Sequence, residues 1–125
     1  MPEEGFERWV IAPTRRITTA LGERFPAVPI IGFPRGAGLL YERYAIEAGI
    51  DAVSLDTAVP KGFARERLQS RLAVQGNLDP VLLLTGGEAL EPAVIELMRR
   101  NFMSSPCREQ TRRRQARAAS GSSRR

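Results

Sequence analysis

Residues 52–60 read Ala52-Val53-Ser54-Leu55-Asp56-Thr57-Ala58-Val59-Pro60. A short apolar run ends at a carboxylate, and a turn segment closed by proline follows. Such a run predicts a buried strand over 52–55, because the flanking Asp-Thr and Pro signals stop it. A helix is then expected from about Lys61 to Gln69, with Phe63, Arg67 and Leu68 marking its periodicity weakly. The same unit recurs on both sides. Upstream, Val28-Pro29-Ile30-Ile31-Gly32-Phe33 leads into Pro34-Arg35-Gly36-Ala37-Gly38. A helix over Leu39–Ala48 follows, with Leu40, Tyr44 and Ala48 four residues apart. Downstream, Leu72-Ala73-Val74-Gln75 precedes Gly76-Asn77-Leu78-Asp79-Pro80. Helical segments from Val81 and over Glu88–Arg100 come next, split by Gly86-Gly87. Leu90, Val94, Leu97 and Met98 form the apolar stripe of the last one.

Ahead of these units, Glu3–Ile11 reads as a helix with carboxylates early, where the helix dipole favours them. Pro13 suits the first turn of another helix that reaches about Glu23. The order is α-βα-βα-βα, with strands near 28–33, 52–55 and 72–76. Strands alternating with helices imply a parallel sheet with helical crossovers. Periodicity alone does not separate a barrel sector from an open doubly wound sheet. In both, ligands bind at the carboxyl ends of the strands, which is where Phe33, Arg35, Asp56, Gln75 and Asn77 fall.

The formal net charge of +5 is unevenly placed. Residues 1–100 carry 12 Lys and Arg against 13 Asp and Glu; residues 101–125 carry 7 Arg and one acid, Glu109. No Ile, Leu or Val occurs after Leu97, so 101–125 is expected to be a disordered basic tail. It lacks the aromatics interleaved with cations that stack bases, which argues against nucleic acid as a partner. The single cysteine, Cys107, excludes an internal disulfide. The absence of histidine removes His-based acid–base catalysis, a Ser-His-Asp triad and His-containing metal sites. No apolar run approaches the ~18 residues of a membrane span, and the expectation is a soluble, cytoplasmic chain without a membrane partner.

The motifs admit structural readings. Pro34-Arg35-Gly36-Ala37-Gly38 lacks the Gly-Lys-Ser/Thr of a phosphate loop and the spacing of a dinucleotide loop. It reads first as a tight strand-to-helix turn. Arg35 is still a natural bidentate partner for a ligand carboxylate. Asp56 is either a cleft carboxylate or, the reading slightly preferred, a cap or turn residue. Asp79 is expected to cap a helix beginning at Pro80, while Gln75 and Asn77 can present polar groups to a cleft. Trp9, Tyr41 and Tyr44 read as packing residues.

Four segments carry a resemblance to a known family: residues 6–13 (FERWVIAP), 29–38 (PIIGFPRGAG), 49–56 (GIDAVSLD) and 74–80 (VQGNLDP). Over about residues 3–100 the chain resembles uroporphyrinogen decarboxylases. The resemblance implies a partial (β/α)8 TIM barrel of about three consecutive βα units. It also implies a homodimer when full-length and no metal or organic cofactor. The implied substrate is uroporphyrinogen III, whose four acetate side chains lose their carboxyl groups to give coproporphyrinogen III. In the implied mechanism a protonated pyrrole ring accepts the electrons of the breaking C–C bond, a carboxylate stabilises the cation and arginines hold the substrate's carboxylates.

The family's principal functional residues do not transfer to any position here. Its amino-terminal arginine loop, early aspartate and cleft tyrosine lie upstream of the matched region, and the Gly-His-Gly of its last strand is missing. No catalytic residue is therefore assigned. Phe33, Arg35, Asp56, Gln75 and Asn77 are expected to line a wall of the cleft. The chain is expected to be a truncated or frameshifted carboxy-terminal fragment, inactive alone, with 101–125 an out-of-frame translation. One alternative is a related barrel methyltransferase. Those enzymes place a zinc-binding His-x-Cys where this chain has Phe33-Pro34-Arg35. The other is a non-catalytic protein that binds nucleic acid through the Arg-rich tail.

Overall fold

The computed structural model describes residues 2–103. Its elements are α1 (Glu3–Phe6), α2 (Ala12–Arg24), β1 (Ile31–Gly32), α3 (Tyr41–Glu47), β2 (Ala52–Ser54), α4 (Lys61–Phe63), β3 (Ala73–Gln75), α5 (Pro80–Thr85) and α6 (Leu90–Met103). The strands form one sheet in the order β1-β2-β3. Both pairings are parallel, with Ile31 opposite Ala52 and Gly32 opposite Val53, then Ala52 opposite Ala73 and Val53 opposite Val74. The alternation of apolar runs and helices thus yields the parallel α/β arrangement it predicts.

The two expected amino-terminal helices are one continuous helical run. A π-turn, Glu7–Ile11, joins α1 to α2. Pro13 explains the widened turn. Its nitrogen cannot donate to the carbonyl of Trp9, and its ring crowds that carbonyl, so the ladder loosens just before it. A second π-turn, Ala64–Leu68, extends α4 and closes with Gln69 N donating to Ala64 O at 3.0 Å. The first strand is shorter than the apolar run at 28–33. Only Ile31 and Gly32 are assigned to it, although the carbonyl of Ile30 accepts from Asp51 N and Ala52 N.

The core gathers Phe6 and Ile11 from the first run, Tyr41, Tyr44, Ala45 and Ala48 from α3 and its end, Val53 from β2 and Leu55 just after it, and Leu68 and Leu72 ahead of β3. Phe6 meets Tyr44 edge to face at 6.4 Å. Outside the core, Arg43 pairs with Glu7 at 3.0 Å and Glu47 at 2.9 Å, while Arg15 reaches Glu7 at 3.2 Å.

Trp9 corrects one expectation. It is 66% exposed rather than packed. The face of the run that packs against α3 is set by Phe6 and Ile11, and Trp9 lies off it, with its ring 4.9 Å from the Arg8 guanidinium. The stripe on α6 is half-buried at Leu90, Val94 and Leu97 and exposed at Met98. That helix continues to Met103, so the first residues of the segment read as a tail are helical. The rest of that segment lies outside the described residues.

Candidate functional site

Parallel strands bring the three loops that follow them to one end of the sheet. These loops are cross-linked by a hydrogen-bond network centred on Asp56. Oδ2 of Asp56 accepts from the backbone N–H of Gly36 at 2.7 Å and from the Tyr41 hydroxyl at 3.3 Å. Oδ1 accepts from Ala58 N at 3.0 Å, which is a local turn contact. The Tyr41 oxygen in turn accepts from Asp56 N at 3.2 Å. Asn77 joins the third loop, its Nδ2 donating to Asp56 O at 2.8 Å and to Val59 O at 3.0 Å. At the strand level, Leu55 N donates to Gln75 O at 2.8 Å.

The sequence accounts for each part of this network. Gly36 sits at φ +73°, a left-handed conformation that aims its N–H across the gap without a Cβ penalty. Gly76, at φ +96°, precedes Asn77. A Cβ there would lie 2.9 Å from Leu55 O, so only glycine lets the third loop approach the second this closely.

The electrostatics follow from these partners. The Gly36 N–H, then that of Ala58 and the Tyr41 hydroxyl, hold the Asp56 carboxyl below the usual carboxylate range, and the Arg35 charge adds to this. Burial pushes the Tyr41 hydroxyl up to about 12. A carboxylate whose two oxygens already accept three hydrogen bonds is a poor base near neutrality. Asp56 is built to organise loops rather than to take protons.

Asp56 and Asn77 are brought together, and both act on backbone groups. Phe33 (53% exposed), Arg35 and Gln75 are exposed at the same end of the sheet. No ion pair of the described residues involves Arg35. A cleft of about 360 Å³ opens between the loops after β2 and β3 and helix α6, with Thr57, Lys61, Asn77, Asp79, Glu96 and Leu97 among its lining residues. Of the five residues expected to line a substrate cleft, Asn77 borders this smaller pocket, and Phe33, Arg35, Asp56 and Gln75 lie outside it at the strand ends. Asp79 caps α5 as expected, its Oδ1 accepting from Val81 N at 2.9 Å with Pro80 as the first helical residue.

The sequence reading missed the second role of Tyr41. Its ring is fully buried, and its hydroxyl also completes the Asp56 network. The general need of a buried tyrosine hydroxyl for a polar partner was the available signal. Among the described residues, no group of three His, Cys, Asp or Glu side chains is placed to hold a metal ion. No described helix is long and apolar enough to cross a membrane.

Parallel βα units with interlocked loops at the strand ends define an α/β protein. Within that class the chain belongs to the uroporphyrinogen decarboxylase family, whose model, described as Uroporphyrinogen decarboxylase, matches residues 1–107. The match passes the boundary that composition suggests at residue 100.

Among relatives named uroporphyrinogen decarboxylase, that of Rhodospirillum rubrum is 53% identical over 98 residues, which is 78% of this chain and 28% of the relative. That of Granulibacter bethesdensis is 53% identical over 89 residues, or 71% of this chain and 26% of the relative. That of Rhizorhabdus wittichii is 54% identical over 89 residues, again 71% and 26%. The chain therefore spans just over a quarter of the length of these relatives. No solved structure matches it. These matches favour neither the methyltransferase nor the nucleic-acid alternative.

Proposed function

We propose that this chain is a sector of a (β/α)8 barrel from a uroporphyrinogen decarboxylase, a carboxy-lyase of porphyrin and heme biosynthesis. Within the complete enzyme the sector contributes one wall of the cleft that holds uroporphyrinogen III while its acetate groups are removed to give coproporphyrinogen III. Phe33, Arg35, Asp56, Gln75 and Asn77 form that wall. The complete enzyme works as a cytoplasmic homodimer without metal or organic cofactor. The sector alone does not turn over, because catalysis requires the whole constellation of groups held in register.

The observation that carries this reading is the Asp56 network. It ties together the loops that contain the family-like segments 29–38, 49–56 and 74–80, at the sheet end where parallel α/β enzymes bind ligands. The test is a chimera in which residues 1–100 replace the matching segment of the Rhodospirillum rubrum relative. The expected result is a folded chimera that converts uroporphyrinogen at a rate comparable to that of its host. A chimera that folds and assembles like the host yet is inactive would refute the reading.

A further inference from the structure

We infer that Arg35 is a carboxylate-binding specificity residue on the loop at the carboxyl end of β1, and that Asp56 is a positioning residue acting through it. The inference rests on the decarboxylase reading above, which supplies a substrate rich in carboxylates.

Three observations converge on this pair. Arg35 is exposed on the loop at the carboxyl end of β1, and none of the ion pairs of the described residues engages it. Its guanidinium fork is therefore available to an external carboxylate, which it matches in a planar, two-point geometry. The residue that follows, Gly36, is not free to wander. Its N–H is held at 2.7 Å by Asp56 Oδ2, a contact between residues twenty positions apart. Asp56 is fixed in turn from the other two sides, by the buried Tyr41 hydroxyl and by Asn77 gripping its carbonyl. The Arg35 backbone is thereby anchored to β2 and β3, although its own loop contains Gly36 and Gly38, both at positive φ.

This anchoring matters for binding. A long cationic side chain on a loose glycine loop loses backbone and rotamer entropy when it closes on a ligand. Clamping the adjacent peptide lowers that cost before substrate arrives. Asp56 already accepts from three donors, and although the Arg35 charge attracts it, no ion pair of the described residues joins the two. The arrangement separates two roles, with Asp56 setting where the loop lies and Arg35 meeting the substrate.

The experiment uses the active chimera and steady-state kinetics with uroporphyrinogen. Arg35→Ala is expected to raise KM about tenfold, with the loss falling on KM rather than kcat, as removal of one charge-assisted contact made in ground and transition state predicts. Arg35→Lys is expected to recover part of that loss, because charge returns without the fork. Asp56→Asn is expected to raise KM in the same way, and to add little when combined with Arg35→Ala. Tyr41→Phe keeps the buried ring, removes only the hydroxyl from the network, and covers the case in which Asp56→Asn does not fold. It is expected to shift KM in the same direction by a few-fold.

An unchanged KM in Arg35→Ala would overturn the assignment, as would Tyr41→Phe or Asp56→Asn effects that are confined to kcat or fully additive with Arg35→Ala. If the unsubstituted chimera folds but is inactive, the decarboxylase reading falls and the inference falls with it. If it is active and only the variants misbehave, the inference alone falls.

Discussion

The Tyr44 ring occupies the space that a side chain on Gly32 would need. A Cβ at position 32 would lie 2.7 Å from both Cε1 and the hydroxyl oxygen of Tyr44, and 3.0 Å from Ile50 Cδ1. The last residue of β1 is thus glycine because α3 lays a tyrosine directly on the strand. Gly32→Ala is expected to destabilise the fold by about 1–3 kcal/mol, the usual cost of overpacking a filled core. The change in urea midpoint between the chimera and its Gly32→Ala variant checks this. A midpoint shift near zero would mean that Tyr44 is not held against the strand.

Thr18 also ties the amino-terminal helical run to the end of α3. Its buried hydroxyl donates to Ala48 O at 2.7 Å and lies 3.1 Å from Arg15 O. Thr18→Val keeps the shape and removes the donor, so the Ala48 carbonyl loses a buried partner. The expected cost is about 1–3 kcal/mol, whereas Thr18→Ser should retain most of the stability because it keeps the hydroxyl. Equal losses in the two variants would show that the methyl group, and not the hydrogen bond, carries the contact.

Much of the fold was legible because apolar strand runs and helical stretches alternate so regularly. Ala52–Ser54 and Ala73–Gln75 fall inside the expected strands, and their parallel pairing follows from the crossovers. Asp79 was legible because a carboxylate before proline has a local job that needs no tertiary knowledge. Trp9 was not legible, since which face of a helix meets the core depends on where α3 lies. The π-turns were also hidden. Pro13 signals an interruption, but whether the helix stops or widens depends on the packing of Phe6 and Ile11 ahead of it. At the site, sequence places Arg35, Asp56 and Asn77 on three loops. It does not say that Asp56 would be consumed by the backbone of the first loop, because that contact exists only once β1 and β2 are paired.

The depressed Asp56 carboxyl makes the loop network sensitive to acid. Its folded pKa lies below the unfolded value of about 3.9, so the stability it contributes is present above that pH and is lost as pH falls through the folded value. Asp56→Asn has no such titration. The stability gap between the chimera and its Asp56→Asn variant is therefore expected to be largest near neutrality and to shrink below about pH 4. Urea midpoints of both proteins across pH 3–7 measure it. A gap that stays constant over that range would show that the Gly36 contact does not depend on the Asp56 charge.

The isolated 125-residue chain is expected to behave poorly in solution and to show no turnover of uroporphyrinogen above a buffer control. Among the described residues, three strands leave two open sheet edges, and open edges invite pairing with other chains. Exposed apolar side chains add to this, with Ile17 and Leu21 on α2, Phe25 and Val28 on the chain leading to β1, Ile31 in the strand and Phe33 just after it. Sequence patterning gives β1 and β3 the composition of buried strands, and a closed barrel of ~250 residues would cover them. In isolation their exposure favours association over a unique monomer. Light scattering coupled to size exclusion should therefore show heterogeneous assemblies, and a hydrophobic dye should bind strongly. A monodisperse monomer with a sharp cooperative melt would show instead that the three βα units close on themselves, and that the exposed side chains are an ordinary solvated surface.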